Sequence, residues 1–324
     1  MRRREFIALA SNAVIWPAAL AGAQPAKLPT IGFLGVGTAD AWQQWLAAFV
    51  QRLHDLGWIE GRTVSLELRW AEGRPDRAAE IAAEFVRLKV DVMVTSGALL
   101  PQARQATSQI PTVLAISNDP VGSGFAESLG RPGGNITGLS LQGAEIAGKR
   151  LQLLREVVPN MRRLGILANK NNPGAVTETL ETEAAARALG LETVKVEFER
   201  RDEIAPAVRS FAGHVDALYI GTDPLVNAER VQIGESTLNA HLPTMHGFRE
   251  AAEAGGLMSY GANYPDLFSR AADYVDKILR GAKPATLPIA QPNRFDLVVN
   301  AATARALGLK IPESLILSAD QVIE

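Results

Sequence analysis

Strands and helices are predicted to alternate along almost the whole chain of 324 residues, in two successive runs of similar size. In the first run, a branched apolar stretch such as Thr112 to Ile116 fits a buried parallel strand. Amphipathic stretches such as Trp42 to Leu56, which ends at Gly57, fit covering helices. The second run starts near Glu145 and includes one helix predicted from about Asn227 to Ala240. Because one open sheet would need about ten strands, near the practical limit, the pattern predicts an α/β protein with two doubly wound parallel-sheet lobes.

The end of the chain is too short for a third domain. Pro265 to Leu279 predicts one helix and Phe295 to Val299 one strand, with an extended, proline-containing segment between them. Such a tail can only complete lobes already built, so the chain must pass between the lobes more than once, through a multi-strand hinge beside a cleft. The predicted division is residues 28–140 plus 264–290 for lobe 1, 141–263 plus 291–324 for lobe 2, and 138–143, 261–263 and 288–293 for the crossings.

Residues 1–23 have the pattern of an export signal. Arg2 to Arg4 form its charged region, Phe6 to Leu20 its apolar region, and Ala21 to Ala23 its small-residue cleavage site. The apolar region is shorter than the roughly 20 residues that a membrane span needs. Arg3 and Arg4 also resemble the twin-arginine motif, which would mean export after folding, with the general route as the alternative. We therefore expect a periplasmic protein, without a lipid anchor because no cysteine is present to carry one.

Composition and motifs exclude several classes of function. A formal net charge of −2 is not basic enough for a nucleic-acid partner, and the absence of cysteine excludes a thiol nucleophile. The four histidines lack the spacing of a metal site. Gly35 to Asp40 resembles part of a dinucleotide fingerprint, but Asp40 stands where close helix packing needs Gly or Ala. The sequence contains neither a Walker phosphate loop nor a G-x-S-x-G elbow. We therefore expect no cofactor, no metal and no enzymatic activity.

Small polar residues follow several predicted strands, at the sheet edge where open α/β folds bind ligands. A Gly-Ser-Gly turn there predicts a short helix, Phe125 to Leu129, whose N–H groups would face the same edge. Hydroxyls, amides and N–H groups suit a ligand carboxylate, whereas Asp119 or Asp223 suits an ammonium; helix capping is the alternative role of Asp223. The candidate ligand contacts are Ser96, Gly97, Ser117, Asn118, Asp119, Asn169, Thr222, Asp223, Phe248 and Tyr260, with Trp42 as a further stacking surface.

Two segments carry a resemblance to a known family: AAEAGGLMSYG at Ala251 to Gly261, and RPGGNITG at Arg131 to Gly138. With shorter matches along essentially the whole chain, the sequence resembles the ABC-transporter substrate-binding proteins of the tryptophan/tyrosine type, a branch of the type I periplasmic-binding fold. The resemblance places ligand contacts at the same strand ends. The chain departs from the family pattern at Asn118, where relatives often carry an acidic residue. It departs again at His246 to Arg249, where they often carry an aromatic-acidic-tryptophan run.

The resemblance implies a periplasmic solute-binding protein of an ABC importer. Such a protein closes its two lobes on a small carboxylate or amino-acid-like ligand and delivers that ligand to a permease in the inner membrane. We expect a monomer. Two alternatives stay open at this point: a ligand-sensing receptor of the same fold that acts on a signalling partner, and a doubly wound periplasmic enzyme.

Overall fold

The computed structural model describes residues 27–324, so the export signal predicted for residues 1–23 lies outside the described residues. Residues 27–324 form two α/β lobes, each built on its own sheet. No helix within this range has both the length and the apolar character needed to cross a membrane.

The first lobe contains a five-stranded sheet in which all neighbouring strands are parallel. Its three central strands are buried along their whole length because helices cover both faces of the sheet. The strands are β1 (Thr30–Gly35), β2 (Ser65–Trp70), β3 (Val92–Ser96), β4 (Thr112–Ile116) and β5 (Ile136–Gly138), in the order β2-β1-β3-β4-β5, and the helices between them are α1 (Gln43–Asp55), α2 (Pro75–Leu88) and α3 (Leu100–Ala106).

The second lobe contains a seven-stranded sheet, in which β10 and β11 are antiparallel and the other paired strands are parallel. Its strands are β6 (Arg163–Asn169), β7 (Glu192–Phe198), β8 (Ala217–Ile220), β9 (Thr244–His246), β10 (Met258–Ala262), β11 (Phe295–Asn300) and β12 (Gln321–Ile323), in the order β12-β11-β10-β9-β8-β6-β7. The remaining helices are α4 (Ala147–Val157), α5 (Pro173–Ala188), α6 (Arg201–Ser210), α7 (Pro224–Ala228), α8 (Arg230–Asn239), α9 (Arg249–Glu253), α10 (Tyr264–Leu279), α11 (Ala301–Ala306) and α12 (Glu313–Ser318).

Three helices that border the cleft start in the same way. α5, α7 and α10 each begin just after an Asn or Asp whose side chain accepts a hydrogen bond from an N–H of the first turn, namely Asn172, Asp223 and Asn263. A proline within the first two helical residues fixes the backbone angle that the turn needs. This local chemistry holds Asn172 and Asp223 at the carboxyl edge of the second sheet.

The chain crosses between the lobes three times: after β5, between β10 and α10, and before β11. α10 packs along α1 and against β4, in the first lobe. Two of the crossings lie side by side, since the Ser140 N–H donates to the Ala290 carbonyl (2.9 Å) and the Ala290 N–H donates to the Gly138 carbonyl (2.9 Å). The lobes are therefore joined by a multi-strand hinge.

The structure corrects two predicted helices. Residues 125–129 are not helical, because the Asp119 carboxylate accepts a hydrogen bond from the Gly122 N–H (2.7 Å) and Gly124 adopts a positive φ of 70°. These features close a local turn instead of a helix. The single helix expected from Asn227 to Ala240 is two helices, α7 and α8, which are separated at Glu229.

Candidate functional site

A narrow cavity of about 20 Å³ lies between the two lobes at the carboxyl edges of both sheets. The first lobe contributes the ends of β3 and β4, and the second lobe contributes the loops after β8 and β9. A register shift between Thr95 and Ser96 at the end of β3 turns the chain at this edge. The lining residues are Ser96, Gly97, Ala98, Ile116, Ser117, Asn118, Leu141, Asn172, Thr222, Pro224, Phe248 and Tyr264.

The hydroxyl groups of this cavity lack protein partners. Ser96 Oγ, Thr222 Oγ1 and the Tyr264 hydroxyl are buried and have no hydrogen-bond partner within residues 27–324. Ser117 lies beside them, and a Cβ at Gly97 would lie 2.6 Å from Ser117 Oγ, so a larger residue at Gly97 would fill this part of the cavity. Buried polar groups are almost always hydrogen-bonded in native proteins, so hydroxyls left in this state around a cavity indicate a ligand or water partner.

Aromatic side chains form one wall of the cavity and continue into the first lobe. Phe248 and Tyr264 have ring centroids 4.8 Å apart, and Trp45 stacks on Tyr264 at 4.6 Å. Trp45 Nε1 donates to Glu250 Oε1 across the lobes at 2.6 Å. Burial raises the pKa of the Glu250 carboxyl, although this hydrogen bond from Trp45 opposes the shift. Trp42, expected as a stacking surface, is instead completely buried in the core of the first lobe.

A buried ion pair lies behind the cavity in the second lobe. Arg150 Nη1 donates to Glu178 Oε1 at 2.5 Å, and the two side chains are 2% and 1% exposed. The Tyr219 hydroxyl donates to the same oxygen (2.8 Å), and burial raises the pKa of Tyr219. The Thr222 N–H donates to Glu178 Oε2 at 3.0 Å, which fixes the backbone of a cavity residue to the ion pair.

Asn118 joins this cluster from the first lobe. Its Nδ2 donates to Glu178 Oε2 (3.1 Å) and to the Thr222 carbonyl (2.9 Å), both in the second lobe. Asn118 lines the cavity as expected, but its donor group is used between the lobes.

A second hollow adjoins the cavity and shares Ala98 and Asn172 with it. Asn169 and Asp223 line this hollow and not the cavity itself. Asp223 accepts hydrogen bonds from Asn169 Nδ2 (3.0 Å), Asn172 Nδ2 (2.8 Å) and two N–H groups of α7. Burial raises the pKa of Asp223 against the effect of these donors. No cationic side chain within residues 27–324 forms an ion pair with it.

Two candidate contacts lie outside both hollows. Asp119 is partly exposed and closes the turn after β4 through its bond to the Gly122 N–H. The Tyr260 ring packs against Phe295 with centroids 5.8 Å apart, and the Tyr260 carbonyl accepts from Arg150 Nε at 2.6 Å. The sequence placed both residues near strand ends, but their side chains do not line the cavity or the adjoining hollow.

Comparison with known proteins identifies the family. The model of the family described as ABC transporter substrate binding protein matches residues 36–323. The chain belongs to this family. A curated relative, the tyrosine-binding protein of Clostridioides difficile (strain R20291), is 24% identical over 263 residues, 81% of this chain and 76% of the relative.

Two solved structures are more similar to this substrate-binding protein. A conserved domain protein from Vibrio cholerae is 26% identical and superimposes with a TM-score of 0.87 over 91% of this chain and 100% of its own. The ABC domain from Streptococcus pneumoniae in complex with L-Trp is also 26% identical, with a TM-score of 0.86 over 91% of this chain and 100% of its own. They support the assignment of a type I periplasmic-binding fold.

Sequence reasoning missed several residues of this substrate-binding protein's cleft. Arg150 and Glu178 look like ordinary charges on helices, and only the buried face on which both lie distinguishes them. Asn172 had a detectable signal, because Asn followed by Pro and Gly after a strand predicts a capped helix start at the ligand edge. Tyr264 was not expected at the cavity because it begins a helix on a crossing segment.

Proposed function

We propose that this substrate-binding protein binds a zwitterionic amino acid or a related small carboxylate in the periplasm and delivers it, as a monomer, to the permease of an ABC importer. The ligand is bound between the lobes and leaves chemically unchanged. Family membership supports the transport role, and the composition of the cavity supports the ligand class.

The observation that carries the ligand class is the set of buried hydroxyls without partners. Ser96, Thr222 and Tyr264 each present an O–H group to a cavity that is lined by no Lys, Arg, Asp or Glu among the described residues. Neutral donors stabilise a carboxylate while leaving the site suitable for a molecule of zero net charge. The ligand carboxylate therefore binds Ser96, Ser117 and Thr222 in this proposal.

The adjoining hollow suits the amine. Asp223 is a buried carboxylate whose partners within the described residues are all neutral, so an ammonium there would supply the missing countercharge. Asp119 is less suited because its side chain lies outside both hollows. The variant Asp223→Asn keeps the cap of α7 but removes the charge. This variant should weaken the binding of an amino acid more than the binding of the corresponding acid that lacks the amine.

The aromatic wall formed by Phe248 and Tyr264 supports an aromatic side chain on the ligand. Similarity to a tyrosine-binding protein and to a structure in complex with L-Trp supports the same class. Transport then follows from a hinge equilibrium. A ligand that contacts both rims stabilises the closed state in proportion to its preference for that state over the open one.

A thermal-shift screen tests the proposal. The chain from Gln24 to Glu324 is refolded once to remove bound ligand and is mixed with amino acids, aromatic acids, dicarboxylates, sugars and nicotinamide cofactors. Ligand at about 100 times its Kd stabilises a protein by about 2.7 kcal/mol, which is a shift of several degrees. We expect L-tryptophan or L-tyrosine to raise the Tm. A shift with dinucleotides alone would contradict the proposal.

Variants of the cavity hydroxyls test whether these groups cause the rise in Tm on ligand binding. Ser96→Ala and Thr222→Val should keep the Tm of the ligand-free protein, because neither hydroxyl has a protein partner, yet reduce the shift that a carboxylate ligand causes. Ser108→Ala, on an exposed loop, is the matched control and should leave the shift unchanged. Equal shifts in all three variants would place the carboxylate elsewhere.

A further inference from the structure

The closed cleft contains a contact between the lobes that needs no ligand. Asn118 Nδ2 spans the cleft with two hydrogen bonds, one to Glu178 Oε2 at 3.1 Å and one to the Thr222 carbonyl at 2.9 Å. All three residues are at least nine-tenths buried, so these bonds are shielded from water. One acceptor is a carboxylate, and hydrogen bonds to charged groups are the stronger class.

The receiving side of this contact is held in place by hydrogen bonds within the second lobe. Glu178 accepts from Arg150 Nη1, the Tyr219 hydroxyl and the Thr222 N–H, all within the second lobe. Asn118 supplies the only donor to this carboxylate that comes from the first lobe within the described residues. Opening the cleft therefore removes one donor from a preorganised anion, and closing it restores that donor.

Two glycines leave the space that Asn118 occupies. A Cβ on Gly174 would lie 2.7 Å from Asn118 Cβ, and a Cβ on Gly143 would lie 3.3 Å from the Asn118 amide carbon. The nearest atoms to a side chain at Gly174 all belong to Asn118 on the opposite lobe. A larger residue at Gly174 therefore collides with Asn118 when the cleft closes, and opening the cleft relieves this collision.

We infer that Asn118 is a latch, a positioning residue that sets the population of the closed state through Glu178 rather than a residue that selects the ligand. The same contact fixes Thr222, since the Thr222 N–H donates to Glu178 and its carbonyl accepts from Asn118. The latch thus connects closure to the orientation of a hydroxyl that lines the cavity. This inference rests on the proposed function only where ligand affinity is measured.

The direct test measures closure without ligand. Because the chain has no cysteine, Arg87→Cys in the first lobe and Arg209→Cys in the second give two specific labelling sites, both exposed. Distances between paired spin labels report the open and closed populations of the refolded protein. We expect Asn118→Ala and Asn118→Asp to shift the population toward the open state, the latter more because it sets a second carboxylate against Glu178. Asn160→Asp, which adds the same charge on an exposed loop, is the control.

Gly174→Ala tests the latch without changing charge or removing a hydrogen bond. It should retain the Tm of the ligand-free protein and still open the cleft. Gly148→Ala in α4, where the nearest atom would be 3.9 Å away, should also retain the Tm but leave the open and closed populations unchanged. Binding of L-tryptophan should weaken about tenfold in Asn118→Ala and on the order of a hundredfold in Asn118→Asp. Label distances that match the wild type in both Asn118→Asp and Gly174→Ala would overturn the latch, whatever the ligand proves to be.

Discussion

Arg150 and Glu178 form an ion pair from which solvent is almost completely excluded. Arg150 Nε also donates to the Tyr260 carbonyl, and Glu178 Oε2 accepts from the Thr222 N–H. Removing one partner of a buried pair leaves an uncompensated charge, which typically costs about 3–5 kcal/mol. We therefore expect Arg150→Met to lower the free energy of unfolding by about this amount. Urea denaturation measures it, with the exposed Arg187→Met in α5 as a control that should change by less than about 0.5 kcal/mol. Similar values for the two variants would refute this role.

His246 makes stability depend on pH. It is 1% exposed and its Nε2 lies 3.0 Å from Thr244 Oγ1, and burial lowers its pKa to about 3. In the unfolded state the same side chain has a pKa of about 6.5, so between pH 3 and 6.5 the unfolded state binds more protons than the folded state. The contribution of His246 to the free energy of unfolding should be fully present above pH 6.5. It should fall as the pH drops from 6.5 toward 3, by up to about 1.4 kcal/mol per pH unit.

Variants isolate the contribution of His246. His246→Gln should flatten the stability curve below pH 6.5, measured by urea denaturation at several pH values, whereas the exposed His214→Gln should not. An unchanged slope in His246→Gln would mean that other groups dominate acid destabilisation.

At the scale of single elements, strands were the most predictable part of the chain. β4 and β8 are continuous apolar runs that are followed by small residues, Ser117 after β4 and Gly221 and Thr222 after β8, and this pattern has few alternatives in a parallel sheet. Residues 125–129 were misread because the Asp119 carboxylate accepts a hydrogen bond from the Gly122 N–H and so favours a turn over a helix, and periodicity does not detect such bonds. The break at Glu229 was missed because no Pro or Gly marks it.

Gly138, at the end of the short strand β5, lies at the hinge in a position that only glycine fits. Gly138 has a φ of 138°, and a Cβ there would overlap the backbone of Leu114 in β4. Backbone strain alone costs about 1–3 kcal/mol, so Gly138→Ala should lower the free energy of unfolding by more than this amount. Gly190→Ala separates the two effects, since Gly190 also has a positive φ of 72° but open space around it. Equal losses of unfolding free energy in the two variants would show that the overlap relaxes at no cost.

At the scale of the whole molecule, the sequence located the rim of each sheet but not how the two rims meet. Ser96, Ser117 and Thr222 were expected because they end strands, and the structure brings them to one cavity. Asn118 and Glu178 lie 60 residues apart in the sequence, and their pairing depends on the relative position of the two lobes, which no local pattern encodes. The lobe boundaries and the ligand contacts remain predictions.

Isothermal titration of the refolded chain 24–324 tests whether this protein binds an amino acid through the carboxylate of that amino acid. L-tryptophan and L-tyrosine are titrated beside tryptamine and tyramine, which lack only the carboxylate, into wild type and Thr222→Val. We predict one saturable site per chain for an amino acid, binding of its amine that is about tenfold or more weaker, and a smaller difference between the two in Thr222→Val. Equal affinity for amino acid and amine in the wild type, or saturable binding that none of the cavity variants changes, would contradict the account.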